Sequence, residues 1–449
     1  MRKLRTILFA LVPLALVFGA AQAQGDDWAT EWSDRLGVSL IAQFDSSGPD
    51  AWDRDAHPDV FITTEGPGYR GLMSGLSTPG VAVIDADTME PVASAQFPIE
   101  GVDAPFEPHG LGVSADGNWI YLPTGTSPGF GDVGTGRLMI INAHTLKLDK
   151  ILATPTNPHH AKTFTHQDGR DLVLAYGFRE GGFYVFDPAQ DNRIVAGVEN
   201  GQLQGRGYLG FVDPAGEYLL ISVRPAAGID AHGWVSVVDT SNWQVVRNID
   251  TIDPDPIWVD YSADGTQAYV TGGKYSMIIR IAMEGPVSNW TVDGVANSAA
   301  IGPYGAHLNW DETQLWVVSK GEATHNMGNS MGLLNPQIMR PPPYSAWAPG
   351  PIKQVNTECL RGDHGTVHPD PNLDQLWVTC NGSFEIIVID MFDEAVIDRI
   401  PMPNGGSTHS GSFVRYTPDG DGYAGMVLSD QNGLHGPARQ AKLEILGID

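Results

Sequence analysis

Apolar and polar residues alternate along this chain in short runs, and the runs repeat. One phrase recurs: a small apolar strand, Ser or Asp leading to Asp-Gly, then a second apolar strand. It reads LGVSADGNWIYL at 111–122, TFTHQDGRDLVLAY at 163–176, LGFVDPAGEYLLISV at 209–223 and VDYSADGTQAYVTG at 259–272. Further copies are HLNWDETQLWVVS at 307–319, VHPDPNLDQLWVTC at 367–380 and FVRYTPDGDGYAGMVL at 413–428. Period-two alternation marks strands, and Asp-Gly between two of them marks a tight hairpin. Third strands follow most phrases, as in RLMIINAHT (137–145), GFYVFDPA (182–189), WVSVVDTS (234–241) and EIIVIDMF (385–392). Short fourth strands follow in DKILATP (149–155), VVRNIDT (245–251) and EAVIDRIP (394–401).

Four antiparallel strands every 45 to 60 residues predict an all-β fold, a β-propeller. Seven phrases are joined by a divergent unit with DVFITTEG (59–66), GVAVIDADT (80–88) and PVASAQF (91–97), so seven or eight blades fit. GVSLIAQFD (37–45) is expected to supply a missing outer strand to the last unit and close the ring. The Met-, Pro- and Gly-rich segment 323–350 interrupts the repeat and is expected to cover one mouth. Its Met327, Met331 and Met339 offer soft sulfur to Cu(I), or simply pack a lid.

Composition supports this reading: 53 Gly, 32 Pro and only 18% charged residues suit many short strands and turns. Residues 1–23 have a basic start, an apolar run and an Ala-x-Ala end, the pattern of a cleaved secretory signal peptide. The expected organisation is therefore a signal peptide at 1–23 and one propeller domain at 24–449, periplasmic in a Gram-negative cell. Removing 1–23 takes away Arg2, Lys3 and Arg5 and no acid, so the formal charge of −27 becomes about −30. Such acidity disfavours nucleic acid and anionic membrane as partners. The two cysteines, Cys359 and Cys380, can pair in an oxidising compartment or stay free.

The blade openings resemble YVTN-type propellers, whose opening is P-x-G-hydrophobic-x-hydrophobic-S-x-D-G. PHGLGVSADG (108–117) and PIWVDYSADG (256–265) follow it closely, and PYGAHLNWDE (303–312) more loosely. The resemblance implies the fold and says little about function.

Histidines stand in register with these openings. His109 and His364 precede a glycine, and His160 falls at about the same place in its blade. His307 lies three residues further on, at the offset that Asp260 holds in the preceding blade. His409 precedes the last phrase and His435 sits in a glycine-flanked loop behind it. Openings of successive blades converge on one axis, so His109, His160, Asp260, His307, His364, His409 and His435 are expected to meet there and hold metal. His57, His144, His166, His232 and His325 read as ordinary turn or core residues, while His159 and His368 read as either that or orienting partners. Imidazoles with at most one carboxylate suit Cu or Zn over Mg or Ca. Six or seven ligands exceed one ion, and multinuclear histidine sites favour copper.

A propeller with such a centre resembles nitrous oxide reductase, and more closely the periplasmic thiocyanate dehydrogenases. The cupredoxin motif of the former is absent before Asp449. The second resemblance implies a copper centre, of three ions, on the seven residues named, with Asp230 and Asp255 as alternatives to Asp260. It implies oxidation of thiocyanate to cyanate and sulfur, with electrons passing to an external acceptor such as a periplasmic cytochrome c. It also implies a lysine and a glutamate at the substrate, read here as Lys162 and Glu180, with Arg70, Lys320 and Arg179 as further candidates. Two rival readings remain: a propeller holding non-covalent haem through one or two histidines, as in nitrite reductases, and a non-enzymatic YVTN-like binding propeller. A covalent c-type haem is excluded, since no C-x-x-C-H motif is present.

Overall fold

The computed structural model describes residues 25–67, 78–98, 106–126, 136–156, 158–177, 182–226, 231–321, 328–341 and 353–448. Their strands form seven antiparallel sheets, the blades of a seven-bladed β-propeller. Five blades are consecutive four-strand meanders whose inner strands are Pro158–Thr165, Arg206–Val212, Pro256–Tyr261, Pro303–Leu308 and Gly362–Val367. Burial grades outward: Pro303–Leu308 is wholly buried, whereas the outer strand Ala395–Pro401 is largely exposed. Inner strands are covered on both faces, which leaves their alternation weak and their Gly and aromatic content high.

The recurrent phrase owes its regularity to its turn. Ser114 Oγ donates to Asp116 Oδ1, which also accepts the Asn118 amide, and Gly117 supplies a φ of 69°. Ser262, Asp264 and Gly265, with φ of 72°, repeat the arrangement.

The divergent first unit is not an eighth blade. Its strands Asp59–Glu65, Gly80–Asp85 and Pro91–Gln96 take their inner neighbour from the far end of the chain, Gly411–Asp419. First and last units thus make one blade, and the count is seven. Ser39–Gln43 does not close the ring, contrary to the sequence reading. It pairs with Lys147–Thr154 as an extra outermost strand on the next blade, steered there by Leu36 and Val38 packing against Leu138, Ile140 and Ile194. The Met- and Pro-rich segment, as far as it is described, is blade rather than lid: Ser330–Leu334 is a third strand, with Met331 and Met339 buried. Met327 lies outside the described residues.

Beyond Gly411–Asp419 the chain turns inward. Gly422–Asp430 pairs on its inner edge, and Gly433–Leu434 and the helix Gly436–Leu446 follow. Residues 430–432 bond to Leu111, to the strand Pro158–Thr165 and to Val212, which belong to three other blades, and so cross the hub. Cys359 and Cys380 form a disulfide. No helix among the described residues is long and apolar enough to cross a membrane.

The closing seam is pinned by Arg54, which is 1% exposed. It stacks on Trp52 at 3.9 Å and Tyr416 at 4.7 Å, pairs with Asp50 at 2.8 Å, and donates to the carbonyls of Ala143 and His144 on the adjacent blade. Arg54→Ala leaves those carbonyls and rings without their cation, and is expected to lower stability by about 3 kcal/mol in urea unfolding.

Candidate metal centre

Inner strands run parallel around the axis, so their starts meet at one mouth of the hub and their ends at the other. Regular strand geometry would send neighbouring side chains to opposite faces. Here the inner strands carry register shifts at their starts, between Pro158 and His160 and between Gly362 and Gly365. A bulge sets two residues against one, so His159 with His160, and Asp363 with His364, all reach the axis. The corresponding shifts elsewhere present Tyr208, Trp258 and Tyr304.

Five imidazoles gather there. His109 lies 4.2 Å from both His159 and His409, 5.0 Å from His160 and 5.8 Å from His364, between ring centres. His160 and His364 are 4.6 Å apart. The donor atoms of His109, His159 and His160 lie within 4.8 Å of one another, and so do those of His109, Asp363 and His364. Around this polar half stands an aromatic wall. Trp258 lies 5.2 Å and Tyr304 5.1 Å from His364, Tyr208 lies 5.2 Å from His159, and Tyr176 stacks on His160 at 5.6 Å.

Hydrogen bonds assign the ring protons. His160 Nδ1 lies 2.6 Å from Gln431 Oε1, and His364 Nδ1 faces the carbonyl of His409. Both acceptors are carbonyls, so each Nδ1 carries the proton and each Nε2 a lone pair. The Nε2 atoms of His109, His160 and His364 are buried with no hydrogen-bond partner. Burial holds His109, His159 and His160 well below the ordinary imidazole value and His364 at about 3. Neutral, unprotonated, inward-facing imidazole nitrogens are what a metal ion requires. The donor set fits copper or zinc better than hard cations.

Asp363 supplies the negative charge. Burial alone would raise its carboxyl, but Lys320 Nζ at 2.6 Å, with His364 and His409, holds it well below the usual carboxylate range. Its Oδ2 accepts from His409 Nδ1 at 2.5 Å, while His409 Nε2 accepts from Asn381 Nδ2 at 2.6 Å. His409 is therefore in the cluster with both ring nitrogens engaged, as an orienting group.

Three residues expected at the centre are elsewhere. Asp260, His307 and His435 line a separate cavity of about 130 Å³ at the opposite ends of the inner strands, with Asp213 and Asp430. An offset of three residues is about 10 Å along a strand, which carries His307 and Asp260 out of reach. His307 Nε2 accepts the Gly365 amide at 3.1 Å, and His435 Nε2 pairs with Asp430 at 2.8 Å. Asp255 pairs with Arg224. Lys162 is buried beside the hub with Nζ 3.3 Å from the Phe211 ring centre. Glu180, Arg179, Arg70, Asp230 and His325 lie outside the described residues. His57, His144, His166 and His232 are hydrogen-bonded away from the centre. His368 accepts the Asp370 amide and packs on Phe413.

His159 and Asp363 join the centre although the sequence reading left the first undecided and passed over the second. Neither is marked by a motif of its own, whereas the glycines beside the histidines have a steric reason. A Cβ on Gly110 would lie 2.0 Å from His160 Nδ1, and one on Gly365 2.6 Å from His307 Cδ2. Each His-Gly pair thus makes room for the imidazole of a neighbouring blade.

No family model matches the chain, and no curated protein matches it in sequence. Among solved structures it is similar to the periplasmic gluconolactonase PpgL of Pseudomonas aeruginosa, at 18% identity over 79% of this chain and 99% of that one, TM-score 0.57. It is also similar to putative 6-phosphogluconolactonases of Bacteroides uniformis (16%, 79% and 99%, TM-score 0.54) and Bacteroides fragilis (14%, 79% and 98%, TM-score 0.51). At such identities the likeness is one of fold. The class is thereby defined as a seven-bladed β-propeller.

Two predictions follow from the buried imidazoles. His109, His159, His160, His307, His364 and His368 are all held low by burial, so below about pH 6.5 the unfolded chain takes up protons that the native state refuses. Asp363, depressed, acts in the same sense, while Asp213 and Asp260, raised by burial to about 6 and about 7, oppose it. The first group is larger, so the melting temperature of metal-free protein should fall from about pH 6.5 toward about pH 3 in calorimetry; a flat profile would refute neutral buried imidazoles. Gly110→Ala should displace the His160 ring and weaken metal binding about tenfold or more in a chelator-competition titration.

Proposed function

We propose that this chain is an exported copper-dependent oxidoreductase whose centre is built on His109, His160 and His364, completed by His159 and Asp363. The observation that carries the reading is the gathering of His109, His160 and His364, whose buried Nε2 atoms have no hydrogen-bond partner and, in His160 and His364, carry the lone pair. A fold with no use for those lone pairs would leave about 1–3 kcal/mol of desolvation unrecovered at each. The two overlapping donor groups share His109, which suits more than one ion. Export is supported by the signal-like residues 1–23 and by the disulfide, a bond that persists in oxidising compartments.

Copper held here would supply Lewis acidity and a sink for electrons. The chain's own residues do the rest. Lys320 and Asp363 form a compensated pair that orients His409, and the wall of Tyr208, Trp258 and Tyr304 excludes water. Neutral imidazoles leave the bound cations as the net positive charge in a protein whose formal charge of −27 becomes about −30 without residues 1–23, and that local positive centre attracts a small anion. Thiocyanate is the substrate that the family resemblance favours: SCN⁻ and water give OCN⁻, sulfur, two protons and two electrons. The electrons then pass to an external acceptor such as a periplasmic cytochrome c. Lys162, buried beside His160, is the candidate for contact with the anion.

Copper loading of the purified protein followed by mass-spectrometric metal analysis tests the reading. Two or more coppers per chain are expected, and His160→Ala or His364→Ala should lower both the copper count and, by about 100-fold or more, thiocyanate oxidation. A chain that retains no stoichiometric copper sinks the proposal and leaves a binding propeller; a Soret band in the absorption spectrum would favour haem instead.

A further inference from the structure

The His160 ring is held from the far end of the chain. Where Gly422–Asp430 ends, three successive side chains cross the hub, each bonded to a different place. Asp430 Oδ2 accepts the Thr163 amide at 3.2 Å, and Asn432 both accepts from the Val212 amide at 3.0 Å and donates to its carbonyl at 3.2 Å. Between them Gln431, 3% exposed, donates through Nε2 to the Leu111 carbonyl at 3.3 Å. That bond fixes which way the amide faces: Oε1 must be the atom 2.6 Å from His160 Nδ1.

An amide oxygen can only accept. Were the His160 proton on Nε2, two lone pairs would face each other at that distance. We propose that Gln431 is a positioning residue of the metal centre: it locks His160 in the Nδ1–H tautomer and aims the Nε2 lone pair at the axis. Tyr176 stacks on one side of the ring, 6° from parallel, and fixes its plane. Stacking does not select a tautomer; the amide does. The proposal rests on the metal-binding reading for its purpose, but the tautomer itself does not.

The test therefore has two arms, both on the full chain. In the first, metal-free protein labelled with ¹⁵N-histidine is examined by NMR, with His160→Gln identifying the resonance. His160 should show a protonated Nδ1 and an unprotonated Nε2; the opposite tautomer overturns the proposal whether or not the protein binds metal. In the second, copper affinity is measured by chelator competition for wild type, Gln431→Leu and Gln431→Glu. Loss of the acceptor in Gln431→Leu should weaken binding about 10- to 100-fold and shift the copper absorption spectrum. Gln431→Glu keeps an acceptor at Nδ1, at the cost of the hydrogen bond to the Leu111 carbonyl, and should bind copper more tightly than Gln431→Leu. A merely structural role predicts otherwise: Gln431→Leu binding as tightly as wild type, or Gln431→Glu as weak as Gln431→Leu, overturns the proposal. If Gln431→Leu fails to fold, the wild-type tautomer still decides. Wild type that binds no copper yet shows the expected tautomer defeats the functional reading alone.

Discussion

The pairing of Asp59–Glu65 with Gly411–Asp419 is the constraint on which everything else depends. It joins positions 356 residues apart, and closing so long a loop costs little more than closing a short one, because the entropic cost grows only with the logarithm of length. Phe61 meets Phe413 at 4.7 Å across the seam and Trp377 of the neighbouring blade at 5.2 Å, and Glu65 accepts from the Asn404 amide. With that seam open, two inner sheet edges would be exposed and the hub would not exist. His409 takes its place through the seam, its amide donating to Thr64 Oγ1.

Closure makes a ring, and the ring is uneven. Blades from the two ends of the chain contribute His109, His159, His160, Asp363, His364 and His409, whereas the central blades contribute Tyr208, Trp258 and Tyr304. Donors thus collect on one side in an environment of low polarity. Two buried charges, Lys320 and Asp363, meet as a pair, and the imidazoles remain neutral because burial penalises their protonation. Such a pocket is short of cations and rich in lone pairs.

The fold was readable because propeller blades advertise themselves through turns. Ser-x-Asp-Gly closes a hairpin by local hydrogen bonds, so the signal survives without knowledge of the neighbours. Blade number was not readable, since the phrase at 59–97 and the phrase at 413–428 look like separate units until one lends a strand to the other. Four of the seven expected ligands do meet at the hub, though His409 meets it as an orienting group. His307 and Asp260 do not, because register within a strand is length along the axis, and three residues are enough to change mouths.

What the residues alone determined was local: the period-two strands, the Asp-Gly turns, and the recurrence of histidine beside glycine at blade openings. What only the tertiary structure decided was which atoms face one another. Bulges at the inner-strand starts turn adjacent residues to the same side, and so admit His159 and Asp363, which alternation would have sent outward. Gln431, with no recognisable motif around it, touches His160 only because the chain's end folds back across the hub. Turn chemistry acts over a few residues and is written in sequence; the facing of side chains depends on register and closure, which sum over the whole ring.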